Sequence, residues 1–555
     1  MDVDGPRRGR RLARVVLTAY AAWGVWYIWR WSTKDLFGGR HAVLFEDAMI
    51  TMRYARNLAA GHGPVWNVGE HVEGFSNPLM LGVMALVHVV FPDGWAPAAI
   101  QVLGLATMVA IGWMGGRIAM RLGAAGETAR TRAVLPVAGT VGALAFYLLG
   151  EWTLLGMETG LFALAVLAFW WAGLGAPSGK RTVGLATAGA AMTLSRPEGL
   201  AVTVLALAWL AWHDRLLARH AAPGGPSTRA QRFARMGWLA RLALPSVAAY
   251  AGMLAFRWAY FGSLLPNTYT LKMAGIPWME RVANGIAYSV PQLLLVWPAF
   301  LPFAVLRTSR RAGLAFGPLA FLAFLAVQVW VGGDFLQRWR MVAPAMPALL
   351  VACAVALVEL AAWLQDRMPA ATGWRHAGTA ALLTFVAVAA PMNAGYFPEA
   401  IVSEESPHVQ MHKSWAQLAA VADEILAPDA TVAVFAAGII PYETGRPSVD
   451  ILGKADTHVA GEEPRYGELP PAAELRFAGM RYWTGHNKSN VTHSIGQAQP
   501  DFAQILDWFS DELPSELRHR YELTCVDGLR FYLLRDSPKV DWQRLKELKE
   551  LHPCD

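Results

Sequence analysis

Residues 44–78, LFEDAMITMRYARNLAAGHGPVWNVGEHVEGFSNP, follow the first long hydrophobic run and place Glu46 and Asp47 side by side. Two adjacent carboxylates at a lipid boundary are costly unless a partner, a metal ion or a reacting proton offsets them. The stretch also carries side chains that bind polar ligands, among them Arg53 and His62. This pattern is typical of an active-site loop. Alternatively, the two acids cap the helix that begins near Ala48.

The composition around this stretch is that of a polytopic membrane protein. Of the 555 residues, 55% are hydrophobic and only 16% are charged. Apolar runs of roughly 17–25 residues, each long enough to cross a bilayer, recur from Val15 to about Ala394. The net charge of +6 reflects basic residues at the ends of these runs, so a lipid bilayer is expected as a partner and nucleic acid is not.

The basic connectors predict the orientation, because cytoplasmic loops carry an excess of Lys and Arg. Arginines crowd the segment before the first run: Arg7, Arg8, Arg10, Arg11 and Arg14. An N-terminus inside, about eleven spans and a C-terminus outside follow from alternating the connectors. Segment 77–91 is short and bracketed by prolines, so we expect an interfacial helix there. Run 182–213 is broken at 195–199, SRPEG, into two shortened helices.

After about residue 395 the composition becomes that of a soluble domain. The patterns predict helices at Ser414–Leu426 and Asp501–Phe509, a buried strand in TVAVFAAGII and a strand in LRFYLLR. We therefore expect a transmembrane catalytic domain over 1–395, with a first outer loop at 32–96, and an extracytoplasmic α/β domain over 396–555. Cys525 and Cys554 can pair if that domain faces an oxidising compartment.

Other unusual polar groups fall on connectors that are predicted to face outward. They are Glu158, Arg196, Asn267, Lys272, Arg338 and Arg340. Acids and bases at one membrane surface suit a phosphate-bearing lipid and a proton to be removed. Each group also has a structural alternative. Glu158 can cap its helix, Arg196 can pair with Glu198, Lys272 can reach lipid headgroups, and the last two arginines can anchor a helix end.

Several motifs together resemble one family. Loop 45–78 with RYARN, GHG..WN.GE.VEG and SNP, then GMETG, LSRPEG, GSLLPNTYTLK and GGDF, resemble elements of the polyprenyl-phosphate-sugar-dependent glycosyltransferases of the GT-C fold. The order matches a subgroup that includes the mycobacterial terminal arabinofuranosyltransferases. Further on, GIIPYETGRPSVDILGKAD and GHNKSN.THSIGQ..PDF resemble the outer domain of other bacterial relatives and depart from the arabinosyl enzymes. Pentose and hexose donors therefore both stay open.

The resemblance implies roles for individual residues. Asp47 would deprotonate the acceptor hydroxyl, which attacks the anomeric carbon as the lipid phosphate leaves, and Glu46 would assist it. A like charge and a lipid edge are expected to raise the apparent pKa of this pair.

The remaining site residues are expected to bind ligands. Four cationic residues would hold the phosphate, with Arg338 preferred to Arg340 if only one reaches: Arg196, Lys272, Arg338 and Arg340. Glu158, Asn267, Arg53 and His62 would add substrate contacts. No cofactor is required, but Glu46, Asp47 and Glu158 offer oxygen ligands for a divalent metal.

The expected function is transfer of a sugar, with inversion, from a polyprenyl-phosphate donor to a cell-envelope glycan acceptor, in a bacterial inner membrane. A hexose or mannose transferase acting on glycan or protein is the first alternative. A flippase or transporter of lipid-linked substrates is another, since broken helices and intramembrane charge also occur in transporters. The absence of an inverted repeat and the position of the charges at one face favour the enzyme.

Overall fold

The computed structural model describes residues 5–34, 36–123, 129–221, 229–304, 312–336, 338–367, 377–402, 407–466, 480–505 and 513–554. Most of the first 400 residues are helical. Twelve α-helices and a small hairpin lie in the described part before residue 297: α1 (Gly5–Arg30), β1 (Ser32–Lys34), β2 (Arg40–Ala42), α2 (Glu46–Ala59), α3 (Pro78–Val90), α4 (Ala96–Leu122), α5 (Ala129–Leu144), α6 (Tyr147–Leu154), α7 (Thr159–Gly173), α8 (Gly179–Ser195), α9 (Gly199–Ala221), α10 (Arg229–Phe261), α11 (Asn267–Met273) and α12 (Trp278–Val296). Further helices follow at Trp297–Ala304, Phe316–Val331, Ala343–Ala345, Met346–Arg367, Ala377–Asn393, Ala394–Tyr396 and Pro398–Val402.

The helices form a multi-pass membrane bundle. In the described residues, six helices are long and apolar enough to cross a membrane, or up to seven if the pair α5–α6, bent by 60°, is one span. This count is lower than the number of about eleven that the sequence predicted. Shorter apolar helices of 10–17 residues also occur in the described part, at Pro78–Val90, Thr159–Gly173 and Ala380–Tyr396.

Two predicted interruptions are present. Helix α8 ends at Ser195 and α9 begins at Gly199, so the SRPEG segment separates two helices as expected. Helix α3 has only 13 residues, and a span needs about 20. It packs against α2, which carries the two acids.

The C-terminal part is an α/β unit. Its helices and strands are Pro407–Ile425, β3 (Val432–Val434), Ile439–Thr444, β4 (Ser448–Asp450), Thr457–Gly461, Thr492–Gln497, β5 (Phe502–Gln504), Ser515–Arg518, β6 (Tyr521–Val526), β7 (Leu529–Leu534) and Trp542–Leu551. The strands form one sheet in the order β4-β3-β5-β7-β6. Strand β3 runs parallel to β4 and β5, whereas β7 is antiparallel to β5 and β6.

Most, but not all, of the predictions for this part are confirmed. The helix at 414–426 and the strand in LRFYLLR are present. The predicted strand in TVAVFAAGII covers only Val432–Val434, because the chain turns and enters a helix at Ile439. The helix predicted at Asp501–Phe509 is wrong: Phe502–Gln504 is a fully buried strand between β3 and β7. Residues 506–512 lie outside the described ranges.

Two features hold the C-terminal part in place. Cys525 and Cys554 form a disulfide, with their Cα atoms 6.1 Å apart. The parallel strands β3 and β4 end at the same edge of the sheet, and the segments that follow them both contact α2. Strand β3 leads to Gly438 and β4 leads to Lys454. Two segments at this edge of the sheet therefore contact the membrane bundle.

Candidate functional site

Asp47 lies in the first turn of α2 and faces two cationic side chains. Lys454 Nζ donates to Asp47 Oδ1 at 2.5 Å, and Arg340 Nη1 donates to Oδ2. The Asp47 side chain keeps 21% of its surface exposed, so it remains accessible. Its partners come from parts of the chain about 300 and 400 residues away, which a simple helix cap would not need.

Glu46 points away from this pair, toward the C-terminal part. Its carboxylate accepts hydrogen bonds from the backbone N–H of Gly438 and, at 2.9 Å, of Ile439. A Cβ at Gly438 would lie 2.1 Å from the Glu46 carbonyl oxygen, so only glycine permits this approach. Burial raises the pKa of Glu46 to about 7 although both N–H groups favour the charged form. Glu46 thus ties α2 to the segment after β3.

Two side chains fix the segment that carries Lys454. Asp450, at the end of β4, accepts hydrogen bonds from three backbone N–H groups within residues 452–455. From the membrane bundle, Asn267 Nδ2 donates to three backbone carbonyls within residues 453–456, including that of Lys454 at 3.0 Å. Asn267 is therefore a positioning residue for Lys454, whereas the sequence suggested a ligand contact.

Arg340 and Arg338 lie on opposite sides of their segment. Arg340 donates to Asp334 through Nη2 at 2.8 Å and Nε at 3.1 Å, in addition to its bond with Asp47. Between the two arginines, Trp339 has a positive φ of 56°.

Because of this turn, Arg338 points elsewhere and pairs with Glu151 at 2.7 Å and Glu399 at 2.5 Å. Arg340 lines the cavity described below and Arg338 does not. The preference for Arg338 assumed helical spacing, whereas the backbone turns at Trp339 and places Arg340 beside Asp47. Arg338 forms a buried structural ion pair.

Arg196 joins two acids beside the same site. It donates to Glu158 at 2.8 Å and to Glu198 at 2.5 Å. Glu158 also accepts from Asn77 Nδ2 at 2.9 Å, which links the SNP motif of the first outer loop to the GMETG motif. The structural alternative for Arg196, a pair with Glu198, is therefore present. Glu158 stands before α7 but its side chain makes no capping hydrogen bond, and both Arg196 and Glu158 line the cavity.

Lys272 differs from the other cations of the site. It lies in the last turn of α11, is half-buried, and makes no hydrogen bond or ion pair with any residue that the structure describes. Burial lowers the pKa of Lys272, since nearby Asp334 does not fully offset the loss of water. Its side chain packs along Gly485, where an added Cβ would lie 3.1 Å from Lys272 Cγ.

These groups line a single cavity of about 80 Å³. Its lining residues are Asp47, Ile50, Thr51, Gly74, Phe75, Ser76, Asn77, Met157, Glu158, Arg196, Thr268, Leu271, Lys272, Arg340, Met341, Lys454 and Gly485. Ligand pockets are commonly about 300–1,000 Å³. The cavity must therefore widen to hold a sugar phosphate, and the Lys454 segment forms part of its wall.

The pKa values of the two adjacent acids are shifted in opposite directions. Burial would raise the pKa of Asp47, but Lys454 and Arg340 outweigh it and hold the pKa well below its usual value. The expectation that both acids share a raised pKa is thus correct for Glu46 and wrong for Asp47. The reason is that the sequence shows the like charge of the adjacent acid but does not show that Lys454 and Arg340 contact Asp47.

Two predicted ligand contacts lie outside the cavity. Arg53 is buried and donates to Trp66 O at 2.5 Å, to Asn67 Oδ1 at 2.8 Å and to carbonyls of the C-terminal part. His62 is exposed in the turn after α2. Arg53 therefore joins the first outer loop to the α/β unit, and neither side chain is placed to contact a ligand held beside Asp47.

The predicted metal ligands are not assembled. No group of three His, Cys, Asp or Glu side chains that could hold a metal occurs in the described residues. Glu46 is engaged by backbone N–H groups, Asp47 by two cations and Glu158 by Arg196 and Asn77. In this arrangement the three carboxylates do not converge on a shared divalent ion.

Sequence reasoning missed Lys454 and Asp334. Lys454 belongs to the quoted motif GIIPYETGRPSVDILGKAD, but its distance from the first outer loop in the sequence hid the contact with Asp47. Asp334 belongs to GGDF, and its spacing of six residues from Arg340 was the available signal. Both residues belong to motifs to which the sequence alone assigns no role.

The helical bundle, the carboxylate-bearing first outer loop and the cavity between the two parts define a membrane protein of the GT-C fold. The crystal structure of ArnT from Cupriavidus metallidurans, bound to undecaprenyl phosphate, matches with a TM-score of 0.52 over 94% of this chain and 98% of that chain. The sequence identity is 13%, so this similarity concerns the fold. The predicted fold class is confirmed.

Sequence relatives agree with the resemblance drawn from the motifs. The chain is 28% identical to the terminal beta-(1->2)-arabinofuranosyltransferase of Mycobacterium tuberculosis over 327 residues, which is 54% of this chain and 50% of the relative. The enzyme of the same name from Corynebacterium glutamicum is 28% identical over 333 residues, 55% of this chain and 47% of the relative. The chain spans about half the length of these curated relatives.

The C-terminal part matches a family model of its own. Residues 402–543 match a model described as "Domain of unknown function (DUF8728)". That range contains the whole five-stranded sheet, Gly438 and Lys454. The segment that reaches Asp47 therefore comes from a region for which the family description provides no role.

Proposed function

We propose that this protein is an integral membrane glycosyltransferase that moves a sugar from a polyprenyl-phosphate donor to an envelope glycan. One observation carries the proposal: Asp47 shares a cavity with four cationic side chains, and Lys272 has no partner among the described residues. A base beside a half-buried cation without an ion-pair partner suits a reaction that removes a proton and releases a phosphate. The arabinofuranosyltransferase relatives and the ArnT fold support the same class.

In the proposed reaction Asp47 accepts the proton of the acceptor hydroxyl. The oxygen forms a bond with the anomeric carbon while the bond from that carbon to the donor phosphate breaks. The electron pair of the broken bond leaves with the lipid phosphate, and attack from the opposite side inverts the anomeric configuration. Lys272 and Arg340 would stabilise the charge that develops on the phosphate.

The ion pairs of Asp47 suggest how donor binding would prepare the base. A carboxylate held well below its usual pKa is a poor base at neutral pH. A donor phosphate entering the cavity competes with Asp47 for Lys454 and Arg340, because both cations can form charge-assisted hydrogen bonds with the phosphate oxygens. Once these cations turn to the phosphate, the pKa of Asp47 rises and the carboxylate becomes able to accept the acceptor proton.

For the sugar we propose an arabinofuranosyl group, on the basis of the two relatives with that activity in their names. Hexose and mannose donors are the alternative outcome, because the matched part covers about half of those relatives. We further propose a bacterial inner membrane location with the N-terminus inside and residues 396–555 outside. A reporter fused after residue 395 should then be active only outside the cytoplasm, and cytosolic fluorescence of that fusion would contradict this orientation.

The function is tested with the purified full-length protein and synthetic polyprenyl-phosphate arabinofuranose, mannose and glucose. Asp47→Asn should lower the turnover rate by about 10²–10⁴-fold. Donor affinity should not fall, because the substitution frees Lys454 and Arg340 for the phosphate.

Glu70→Gln is the matched control, since Glu70 is an exposed acid of the same outer loop that does not line the cavity. It should retain normal turnover. A near-normal rate for Asp47→Asn would refute the role of Asp47. Donor binding without any sugar transfer in wild-type protein, combined with lipid movement between leaflets, would favour the flippase alternative.

A further inference from the structure

A basic cavity lies at the other end of the bundle from the candidate site. It has a volume of about 540 Å³. We call it the arginine pocket, and its lining residues are Arg7, Arg10, Arg11, Ala13, Arg14, Leu17, Trp113, Gly116, Arg117, Met120, Pro136 and Thr140. A second cavity of about 410 Å³ shares Arg10, Arg117 and Met120 with it and adds Arg121. Three helices, α1, α4 and α5, thus converge on one cationic space.

The position of the pocket corresponds to the opposite membrane surface. Helix α1 runs from the pocket to Arg30, which directly precedes the small hairpin and the Asp47 loop. The 20 residues from Arg10 to Arg30 span about 30 Å of helix, close to the thickness of the hydrocarbon core. The pocket therefore lies one bilayer away from the cavity that contains Asp47.

Close backbone contacts make this pocket a built feature. A Cβ at Gly9 would lie 1.9 Å from Ala133 O, so α1 touches α5 directly. A Cβ at Gly115 would lie 2.4 Å from Gly139 O, and one at Gly116 would lie 2.7 Å from Thr140 Oγ1. The glycines allow the backbones of α1, α4 and α5 to come this close. The longer arginine side chains of these helices then enclose an open space.

The described parts of α1 and α4 concentrate positive charge in the pocket. Arg7, Arg11, Arg14 and Arg117 form no ion pair with a carboxylate in the part of the chain that the structure describes. Arg14 Nε contacts the Arg10 carbonyl and Arg117 stacks over Trp113 at 5.5 Å, but neither contact balances charge. Several like charges held together favour an anionic ligand with more than one oxygen acceptor.

The walls combine this charge with apolar surface. Leu17 and Trp113 lie toward the middle of the bundle from the arginines on their own helices, Met120 lies between Arg117 and Arg121, and Trp113 is about half exposed. A phosphate group at the arginines would leave acyl chains along these apolar side chains. A free phosphate or a nucleotide has no acyl chain to pack against these side chains. A phospholipid therefore matches both the charged and the apolar part of the pocket.

We propose that the arginine pocket binds an anionic glycerophospholipid of the leaflet opposite the candidate site, with the phosphodiester between α1 and α4. A headgroup with two phosphates, as in diphosphatidylglycerol, matches the number of arginines better than one with a single phosphate. The general preference of basic residues for the cytoplasmic side accounts for exposed residues such as Arg8, but it does not account for a cavity. Basic pockets between helices at this membrane level suit such headgroups.

The test measures lipid binding to the purified full-length protein in neutral detergent by native mass spectrometry. The probes are diphosphatidylglycerol, phosphatidylglycerol, phosphatidylcholine and inorganic phosphate. Wild-type protein should retain diphosphatidylglycerol most strongly and phosphatidylcholine least. Each juxtamembrane arginine contributes about 1 kcal/mol toward anionic lipid, which corresponds to roughly fivefold. Arg117→Gln should therefore weaken diphosphatidylglycerol binding by about fivefold, and Arg11→Gln with Arg117→Gln by about 25-fold.

Two control variants separate the pocket from general charge. Arg8→Gln removes the same charge from the same helix but does not line the pocket, so binding should be unchanged. Arg117→Lys keeps the charge and should keep most of the binding, which shows that any loss in Arg117→Gln is not a folding defect. Equal loss in Arg8→Gln and Arg117→Gln, equal retention of phosphatidylcholine, or full competition by millimolar inorganic phosphate would overturn the proposal.

Discussion

Replacing Lys272 with methionine should change donor binding and stability in opposite directions. Methionine keeps the length of the side chain and removes only the ammonium group. In the folded protein burial lowers the pKa of Lys272 below its usual 10.5, so its charge is held at a cost at neutral pH. Removing the charge should raise the apparent melting temperature of the ligand-free protein. If Lys272 served only to stabilise the fold, its replacement would instead lower the melting temperature.

The loss of donor affinity follows from the contacts that remain. Arg196 and Arg340 are already paired with carboxylates, whereas Lys272 is free of partners among the described residues. A charge-assisted hydrogen bond contributes about 1.5–3 kcal/mol. At 1.4 kcal/mol for each factor of ten, Lys272→Met should raise the Kd for a polyprenyl-phosphate donor about 10–150-fold.

Lys488→Met is the matched control for this experiment. Lys488 is also buried, but its Nζ donates to Ala460 O at 2.8 Å and Thr270 O at 3.3 Å. This variant should lose stability and keep donor affinity. Calorimetric titration with donor analogue and thermal denaturation in detergent give the two quantities. Unchanged donor affinity in Lys272→Met, or a lower melting temperature than wild type, would refute the assignment of Lys272 to the phosphate.

Two further predictions concern Arg338 and Glu46. Arg338→Met should destabilise the protein by about 3–5 kcal/mol, because it leaves the buried Glu151 and the half-buried Glu399 without their partner; a melting temperature near that of wild type would contradict this. Glu46, with its pKa raised from 4.5 to about 7, stabilises the fold through proton binding at low pH, and this contribution is lost as the pH rises toward and through 7. The difference in stability between wild type and Glu46→Gln should therefore change by about 3 kcal/mol between pH 4.5 and 7.5, whereas a constant difference across that range would show that Glu46 titrates normally.

Hydrophobic pattern and turn residues were sufficient to predict the helical bundle. Runs of apolar residues and the SRPEG interruption report local preferences, which the structure keeps. The helix predicted at Asp501–Phe509 failed because Phe502–Gln504 sits between two other strands. Pairing across the sheet overrides a local helical pattern. The sequence contains no short-range signal for such a neighbour.

Part of the candidate site was predictable from the sequence, but the pairing of its side chains was not. The sequence identified Asp47, Arg196, Lys272 and Arg340, all of which line one cavity. It could not show that Trp339 turns the backbone and sends Arg338 to Glu151. It could not show either which cations meet Asp47. Long-range ion pairs depend on how elements pack, and packing is not encoded in the spacing of motifs.

The hydrogen bonds from Asn267 to the Lys454 segment limit how this protein can be recombined. Donor and acceptor preferences of modular enzymes are often changed by exchanging whole domains, but here a cut near residue 395 would separate Asp47 from Lys454. The same cut would remove the backbone groups that Glu46 and Asn267 bind. A working chimaera would need its membrane half and its α/β half from a parent pair in which these contacts are matched, so the two halves are expected to be inherited together.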